Sequence, residues 1–330
     1  MVWPKAPTVG AGGSLQSLII CIKTMLELYM GEKYFIEIIE FTDPVCTWCW
    51  GSEPVLRKLE TRFGDNLKIK FVMGGLVEDI RKFYDSFNDI GGDPERSNKQ
   101  IAKHWIEASE RHGMPVKSEG FKLFSDEHPS SYPQNIAYKA AQMESEDLAN
   151  RFLRMMREAS AAQARQTNKT EVLIELANEA GLDVSKFIER FTDGSAEKAF
   201  KEDLDITRKY GVRGFPSFLI RWGEKETLLR GYQSFETIKS VIKTVSGDSV
   251  RERLIEKTEE NVLDFIKRYS TAAPVEIQTA FDFSDSEINE VIKSLIDKNL
   301  IRKVPSGNGY FVELISKPMA CDLASGTCQI

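Results

Sequence analysis

The chain has 330 residues and 42% hydrophobic content, enough for one or two ordinary globular cores. Its 44 Lys and Arg against 50 Asp and Glu leave a net charge of −6, which excludes a general nucleic-acid coat and a polybasic membrane anchor. Five cysteines, at 21, 46, 49, 321 and 328, are too few and too scattered for a disulfide scaffold.

The first apolar run, Leu18 to Ile22, contains Cys21 and is interrupted by Lys23 and Glu27. It is too short to span a bilayer. Only Lys5 precedes it and no small-x-small cleavage site follows, so it does not read as a secretory signal. Met30-Gly31-Glu32-Lys33 stands just before the first strand and reads as a second candidate start. Residues 1–33 are therefore expected to be a leader outside the folded chain, and the protein is expected to be cytoplasmic.

Tyr34 to Phe41 is rich in β-branched and aromatic residues and predicts the first strand. Cys46-Thr47-Trp48-Cys49 follows, and Leu56, Leu59 and Phe63 then recur at helical spacing. Two thiols three residues apart at a helix start can close a small disulfide ring. The free N–H groups and positive end of the helix favour a thiolate on the first cysteine. Such thiols can have pKa values lowered to roughly 3.5–7.5, and the thiolate is the species that attacks disulfides. The competing reading is half of a four-thiolate zinc site completed by Cys321 and Cys328. It is the weaker one, because zinc-binding pairs usually lie on turns rather than where a strand feeds a helix. Glu40 lies six residues before Cys46. A buried carboxylate there could take the Cys49 proton, but the surrounding run is apolar on both faces, so alternation does not say whether Glu40 is buried or exposed.

Lys68 to Gly74 alternates and predicts the second strand. Residues 76–200 read as several helices, among them Asn135 to Met143, Asp147 to about Gln166, and a third opening at Asn168-Lys169-Thr170-Glu171 with Asn168 as cap. Gly181 would stop that helix. A further helix at about 195–210 ends at Gly211. Then come Gly214-Phe215-Pro216-Ser217 and a hairpin, 218–222 with 226–230, around Gly223-Glu224-Lys225. Ser234 caps a closing helix built on Ile238, Val241, Ile242 and Val245. His104, His112 and His128 show no ligand spacing and no link to a nucleophile.

Pro54, five residues after Cys49, and Gly211 to Ile220 resemble the helix-kinking proline and the cis-proline loop of the thioredoxin superfamily. The long helical stretch between Cys49 and Pro216, with the phrase Phe41 to Gly51, is similar to DsbA-like thiol:disulfide oxidoreductases of the FrnE-type branch. The resemblance covers about 34 to 246. It implies an α/β class: a thioredoxin fold (34–75 and 201–246) with an inserted helical domain (76–200). It also implies a cis bond before Pro216, with the Phe215 backbone free to pair with an extended substrate. Cys46 would be the exposed nucleophile and Cys49 the buried resolving thiol. Thr47, Trp48, Phe215 and Pro216 would meet substrate, and Glu40 would stand beneath the site as a proton relay. Trp50 is expected in the core.

Beyond 246 the character changes. Val262 to Tyr269, Pro274 to Phe281 and a Ser284-capped stretch predict three helices, and 300–304 with 310–314 a Gly-rich hairpin. The order suggests a small winged helix at 249–315. That segment carries nine Lys and Arg against twelve Asp and Glu, a net of −3, and its groove-facing helix opens with Asp285, Glu287 and Glu290. No nucleic-acid partner is expected. The tail, 316–330, offers Cys321 and Cys328 as a second redox pair.

The function expected is thiol–disulfide exchange with protein or peptide substrates. No external cofactor, metal or membrane is required, because the electrons reside on Cys46 and Cys49. The rival from another class is an adaptor or regulator in which the dithiol is a switch. A small-molecule isomerase of the glutathione-transferase kappa type is weaker, since such enzymes lack the second cysteine. Neither the direction of electron flow nor the oligomeric state can be read from the residues.

Overall fold

A computed structural model describes residues 35–315 and the backbone of the short strands 321–322 and 327–328. The chain divides into the units Met1–Phe35 and Ile36–Ile330. The expected leader and Cys21 lie outside the described residues.

Strand β1 (Ile36–Thr42) leads into helix α1 (Thr47–Phe63), and β2 (Leu67–Met73) returns parallel to β1. Far along the chain, β5 (Ser217–Trp222) and β6 (Lys225–Arg230) form a hairpin, with β5 antiparallel to β1. The four strands make one sheet in the order β2-β1-β5-β6. Helix α8 (Phe235–Ser246) closes the unit, its N-cap Ser234 accepting the Thr237 N–H at 3.2 Å. Ile36, Ile38, Leu59, Phe218, Ile238 and Ile242 bury the face between sheet, α1 and α8. This is the thioredoxin fold, and the chain from 76 to 209 interrupts it.

The interruption holds a two-residue strand pair, β3 (Tyr84–Asp85) and β4 (Ile90–Gly91), then six helices: α2 (Pro94–His112), α3 (Tyr132–Gln142), α4 (Glu146–Ala161), α5 (Thr170–Ala180), α6 (Val184–Thr192) and α7 (Ser195–Lys209). Small and aromatic side chains pack α3 to α7 into a core of their own, with Ala137, Phe152, Ala177, Phe187 and Phe200 at its centre. Gly181 closes α5 at φ 89°, as its place after the last apolar residue predicts. The expected cap at its other end is corrected. The N-cap is Lys169, without a side-chain cap, because the Asn168 amide donates instead to the His128 carbonyl at 2.8 Å. Helices α2 and α6 were not placed individually from the sequence, although both carry local signals: Asp93 caps α2 ahead of Pro94 with Gly113 at its end, and Asp183 caps α6.

After α8 come α9 (Glu259–Tyr269), β7 (Thr271–Ala272), α10 (Pro274–Phe281), α11 (Asp285–Asp297), β8 (Ile301–Ser306) and β9 (Gly309–Leu314). The strands pair in the order β7-β9-β8. Val262, Ile266, Ile277, Phe281, Ile292 and Val312 give this module a separate core. The α11 start is a full capping box between Ser284 and Glu287. The module does not stand apart. Helix α10 lies along α1, with Asp282 bridging Lys58 and Arg62. The β8–β9 turn sits on the insert, where Asn308 exchanges hydrogen bonds with the Val116 backbone at 2.8 and 2.9 Å. Among the described residues no helix is long and apolar enough to cross a membrane.

Candidate active site

Cys46 is the N-cap of α1, with an extended backbone at φ −85° and ψ 115°. Its sulfur accepts the Cys49 N–H at 3.3 Å. A sulfur thus does what a hydroxyl or carboxylate does at other helix starts, at the positive end of the helix and with no acidic residue in the first turn. On its other side Cys46 Sγ lies 3.5 Å from the Phe215 carbonyl oxygen. The Phe215–Pro216 peptide is cis. Two segments 169 residues apart therefore meet at one sulfur.

The expected exposure of Cys46 is corrected: it keeps only 6% of its surface, and Cys49 keeps none. Both are thiols in this structure. Burial pushes the Cys49 thiol well above its ordinary value, the Cys46 sulfur and the Glu40 charge add to this, and Arg157 opposes it. Glu40 is fully buried on β1, which decides the question that alternation left open. Burial pushes its carboxyl up to about 7 against the pull of Arg157. Arg157 Nη2 donates to Glu40 Oε1 at 3.3 Å, while Oε2 finds no hydrogen-bond partner among the described residues. A group that titrates near neutrality beside a protonated thiol can accept that thiol's proton.

Four contributors were not singled out from the sequence. Arg157 reaches in from α4, fully buried, and also donates to Glu53 Oε1 and Thr42 Oγ1, each at 2.5 Å. Glu53, on α1, stays ionised between Arg157 and Arg154. Asp43 holds the turn that delivers Cys46. Its carboxylate accepts from Val45 N at 3.0 Å, Leu76 N at 2.7 Å, Ser131 Oγ at 3.0 Å and Asn135 Nδ2 at 2.8 Å. His112 packs its ring against Gly51, where an added Cβ would meet it at 2.5 Å, and edge-on to Trp48 at 6.0 Å. Asp43 alone had a signal, its place just ahead of the dithiol; the others come from distant segments.

The expected rim is partly assembled. Trp48 is half-buried, with Tyr232 at 5.7 Å and His104 at 6.3 Å between ring centres. A cleft of about 460 Å³ lies between Trp48, Arg111, Phe215, Gly231 and Tyr232. A second, of about 510 Å³, opens on the far side of Trp48 toward His104 and the exposed Phe87. Thr47 is buried, and its hydroxyl lies inside the protein rather than on the rim. Trp50 is a core residue, its indole N–H donating to the Pro115 carbonyl at 3.0 Å. Among the described residues no group of three or more His, Cys, Asp or Glu could hold a metal ion. Cys321 and Cys328 are direct cross-strand partners in their short strand pair; their side chains lie outside the described residues.

A family model described as thioredoxin matches residues 40–240. A ClpXP adapter protein SpxH from Halalkalibacterium halodurans is 28% identical over 279 residues, covering 84% of this chain and 88% of that protein. The protein of the same name in Bacillus subtilis is 26% identical over 304 residues, covering 87% and 95%. Among solved structures, one from Nitrosomonas europaea, provisionally assigned as a protein disulfide isomerase, superposes with a TM-score of 0.55 at 20% identity, covering 65% of this chain and 99% of that one. One from Streptomyces coelicolor, provisionally assigned as a DsbA oxidoreductase, does so with a TM-score of 0.50 at 17% identity, covering 67% and 94%. Likeness at these identities speaks to the fold: a DsbA-like thioredoxin fold with a helical insertion.

Proposed function

The chain belongs to the thioredoxin family, and from that premise we propose that it carries out thiol–disulfide exchange with protein substrates through Cys46 and Cys49. The observation that carries this reading is the pairing of a capping sulfur at the helix start with a sealed thiol one turn on, above a carboxyl that titrates near 7. The Cys46 thiolate attacks a substrate disulfide, forming a mixed disulfide and releasing one substrate thiolate. Glu40 takes the Cys49 proton. Cys49 sulfur then attacks Cys46 Sγ, the second substrate thiolate leaves, and two electrons have passed to the substrate as Cys46 and Cys49 join. The reverse sequence oxidises a substrate dithiol. In the cytoplasm, which we take as its setting, the reducing direction is favoured. An extended substrate would lie along the Phe215 backbone beside Pro216, with a side chain against Trp48.

Cys49→Ala should leave Cys46 able to attack but not to be released. Expressed in the native host, that variant should accumulate proteins joined to Cys46 through reducible bonds, and Cys46→Ser should accumulate none. Equal trapping by the two variants would sink the assignment.

The names of the relatives favour a second reading. Proteins 26–28% identical over most of this chain are named adapters of ClpXP, so the chain could present a client to a protease, with the dithiol as a switch. Cys49→Ser discriminates. Loss of function supports exchange chemistry, and full function in that variant supports the adaptor. The tail is proposed as a second redox pair under either reading. Directly opposed residues of antiparallel strands have Cα atoms about 4.5–5.5 Å apart, within the range a disulfide spans.

A further inference from the structure

Beneath the dithiol lies a continuous chain of ion pairs, buried at Glu40, Arg157, Glu53, Arg57 and Glu276 and part-buried at Arg154 and Glu158. It starts at Glu40, passes to Arg157 at 3.3 Å, to Glu53 at 2.5 Å, to Arg154 at 3.7 Å, to Glu276 at 3.1 Å, and ends at Arg57 at 3.0 Å. Glu158 adjoins Arg154 at 3.7 Å. These groups come from three parts of the molecule: the thioredoxin fold (Glu40, Glu53, Arg57), the insert (Arg154, Arg157, Glu158) and the C-terminal module (Glu276). Glu276 opens α10 and is fully buried. It also accepts the Ala273 N–H at 2.7 Å.

We propose that Glu276 is a positioning residue for the dithiol: through this one carboxylate the C-terminal module balances Arg154 and Arg57 in the ion-pair chain beneath Cys49, and so sets the pH at which Glu40 becomes free to take the Cys49 proton. The proposal rests on the exchange reading and adds to it a role for the module. Its basis is charge balance in a largely desolvated ion-pair chain. Three guanidinium groups face four carboxylates. With Glu40 protonated the charges are equal, three against three. Take Glu276 away and equality returns only when a proton leaves the set, from Glu40 or from Glu158, whose carboxyl is also pushed up, chiefly by burial and in part by Glu276 itself. The other groups facing Glu40 do not alter the balance. They are the Cys49 thiol from α1, the Thr42 hydroxyl on β1, and the apolar Phe71 and Phe218, its register partners on β2 and β5. Glu40 holds its proton up to about 7 because burial disfavours its anion more than Arg157 favours it. Unmatched Arg154 and Arg57 would tip that contest.

The test mixes reduced protein with a chromogenic aromatic disulfide and follows thiolate release against pH. The first phase reports attack by Cys46 and the second reports resolution by Cys49. Absence of a first phase in the wild-type protein would sink the exchange reading itself, independently of Glu276. Given a first phase, Glu276→Gln should move the midpoint of the second phase to lower pH by about half a unit, the size expected for one buried charge four ion-pair contacts away. Glu276→Asp should restore it. Asp282→Asn loosens the same module at Lys58 and Arg62 without touching the buried chain, and should leave the midpoint in place. Arg154→Gln removes a cation and should move it upward, which keeps the idea testable where Glu276→Gln does not fold. An unmoved midpoint in folded Glu276→Gln, an equal shift in Asp282→Asn, or a downward shift in Arg154→Gln would each overturn the proposal.

Discussion

His112 shows how one buried side chain can limit the pH range of the whole fold. Its Nδ1 accepts the Met114 N–H at 3.1 Å, so the proton of the neutral ring sits on Nε2, which has no partner among the described residues. Burial alone pushes its pKa down to about 4. The folded state therefore excludes a proton that the unfolded chain binds with the ordinary value of 6.5. The stability contributed is present above 6.5 and is lost as pH falls toward 4. Integrated over that window it amounts to roughly 2–3 kcal/mol. His112→Asn keeps an acceptor for Met114 and removes the titration. Its urea-unfolding free energy should fall less steeply than that of the wild type between pH 6.5 and 4; parallel slopes would remove His112 from the account. In the sequence the three histidines lacked ligand spacing, and that much was legible. That His112 packs against Trp48 beside the dithiol was not, because the contact depends on how α2 lies across α1.

At the scale of elements, the dithiol works only if its helix starts in the right place, and Asp43 sets that start. Four donors from four separate positions converge on its buried carboxylate, tying the turn before α1 to Leu76 and to Ser131 and Asn135 at the start of α3. Asp43→Ala would strand those donors in the interior. The expected cost is about 3 kcal/mol or more by chemical denaturation, with loss of amide-exchange protection at Val45 and Leu76. A loss under about 1 kcal/mol would mean that water replaces the carboxylate. Helices were legible where local chemistry defines them: Gly181 ends α5 in the insert and Ser234 starts α8, which closes the thioredoxin unit. The false cap at Asn168 shows the limit. A cap would use its side-chain oxygen, but the amide N–H is held by the His128 carbonyl, forty residues away, and the oxygen accepts from no group among the described residues.

For the whole molecule, the question is what the C-terminal module faces. Its β8–β9 turn, which would be the wing of a DNA-binding winged helix, is occupied. Gly307 has φ +55°, and a Cβ there would meet the Val116 carbonyl at 2.4 Å. Ser306 donates to the Ala162 carbonyl at 2.9 Å and Asn308 to Ser109 Oγ at 3.1 Å. Gly307→Ala should strain both backbone and contact, cost about 2 kcal/mol, and open the Val116 amide to hydrogen exchange. Even undocked, the module carries a net of −3 over 249–315. Neither the wild type nor Gly307→Ala should bind DNA in a salt-sensitive way at nanomolar protein. A retarded, salt-sensitive band in a gel-shift assay would overturn the charge argument and favour a regulator.

The sequence by itself determined what is written in short-range chemistry. The Cys46–Cys49 pair at a strand–helix junction, the helical character of 76–200 and the order of elements after 246 follow from neighbours a few residues apart, while the cis-proline loop and the interrupted thioredoxin fold were implied by a family resemblance. Spacing, caps and periodicity are local physics. Only the tertiary structure decided which charges share the interior. Glu40 sits on a strand apolar on both faces, so nothing local said that it was buried. Arg157 lies 117 residues from Glu40, and Arg154 lies 122 residues from Glu276. Such partners are chosen by which surfaces come together and lose their water, and a buried charge is tolerated only where the fold delivers its opposite.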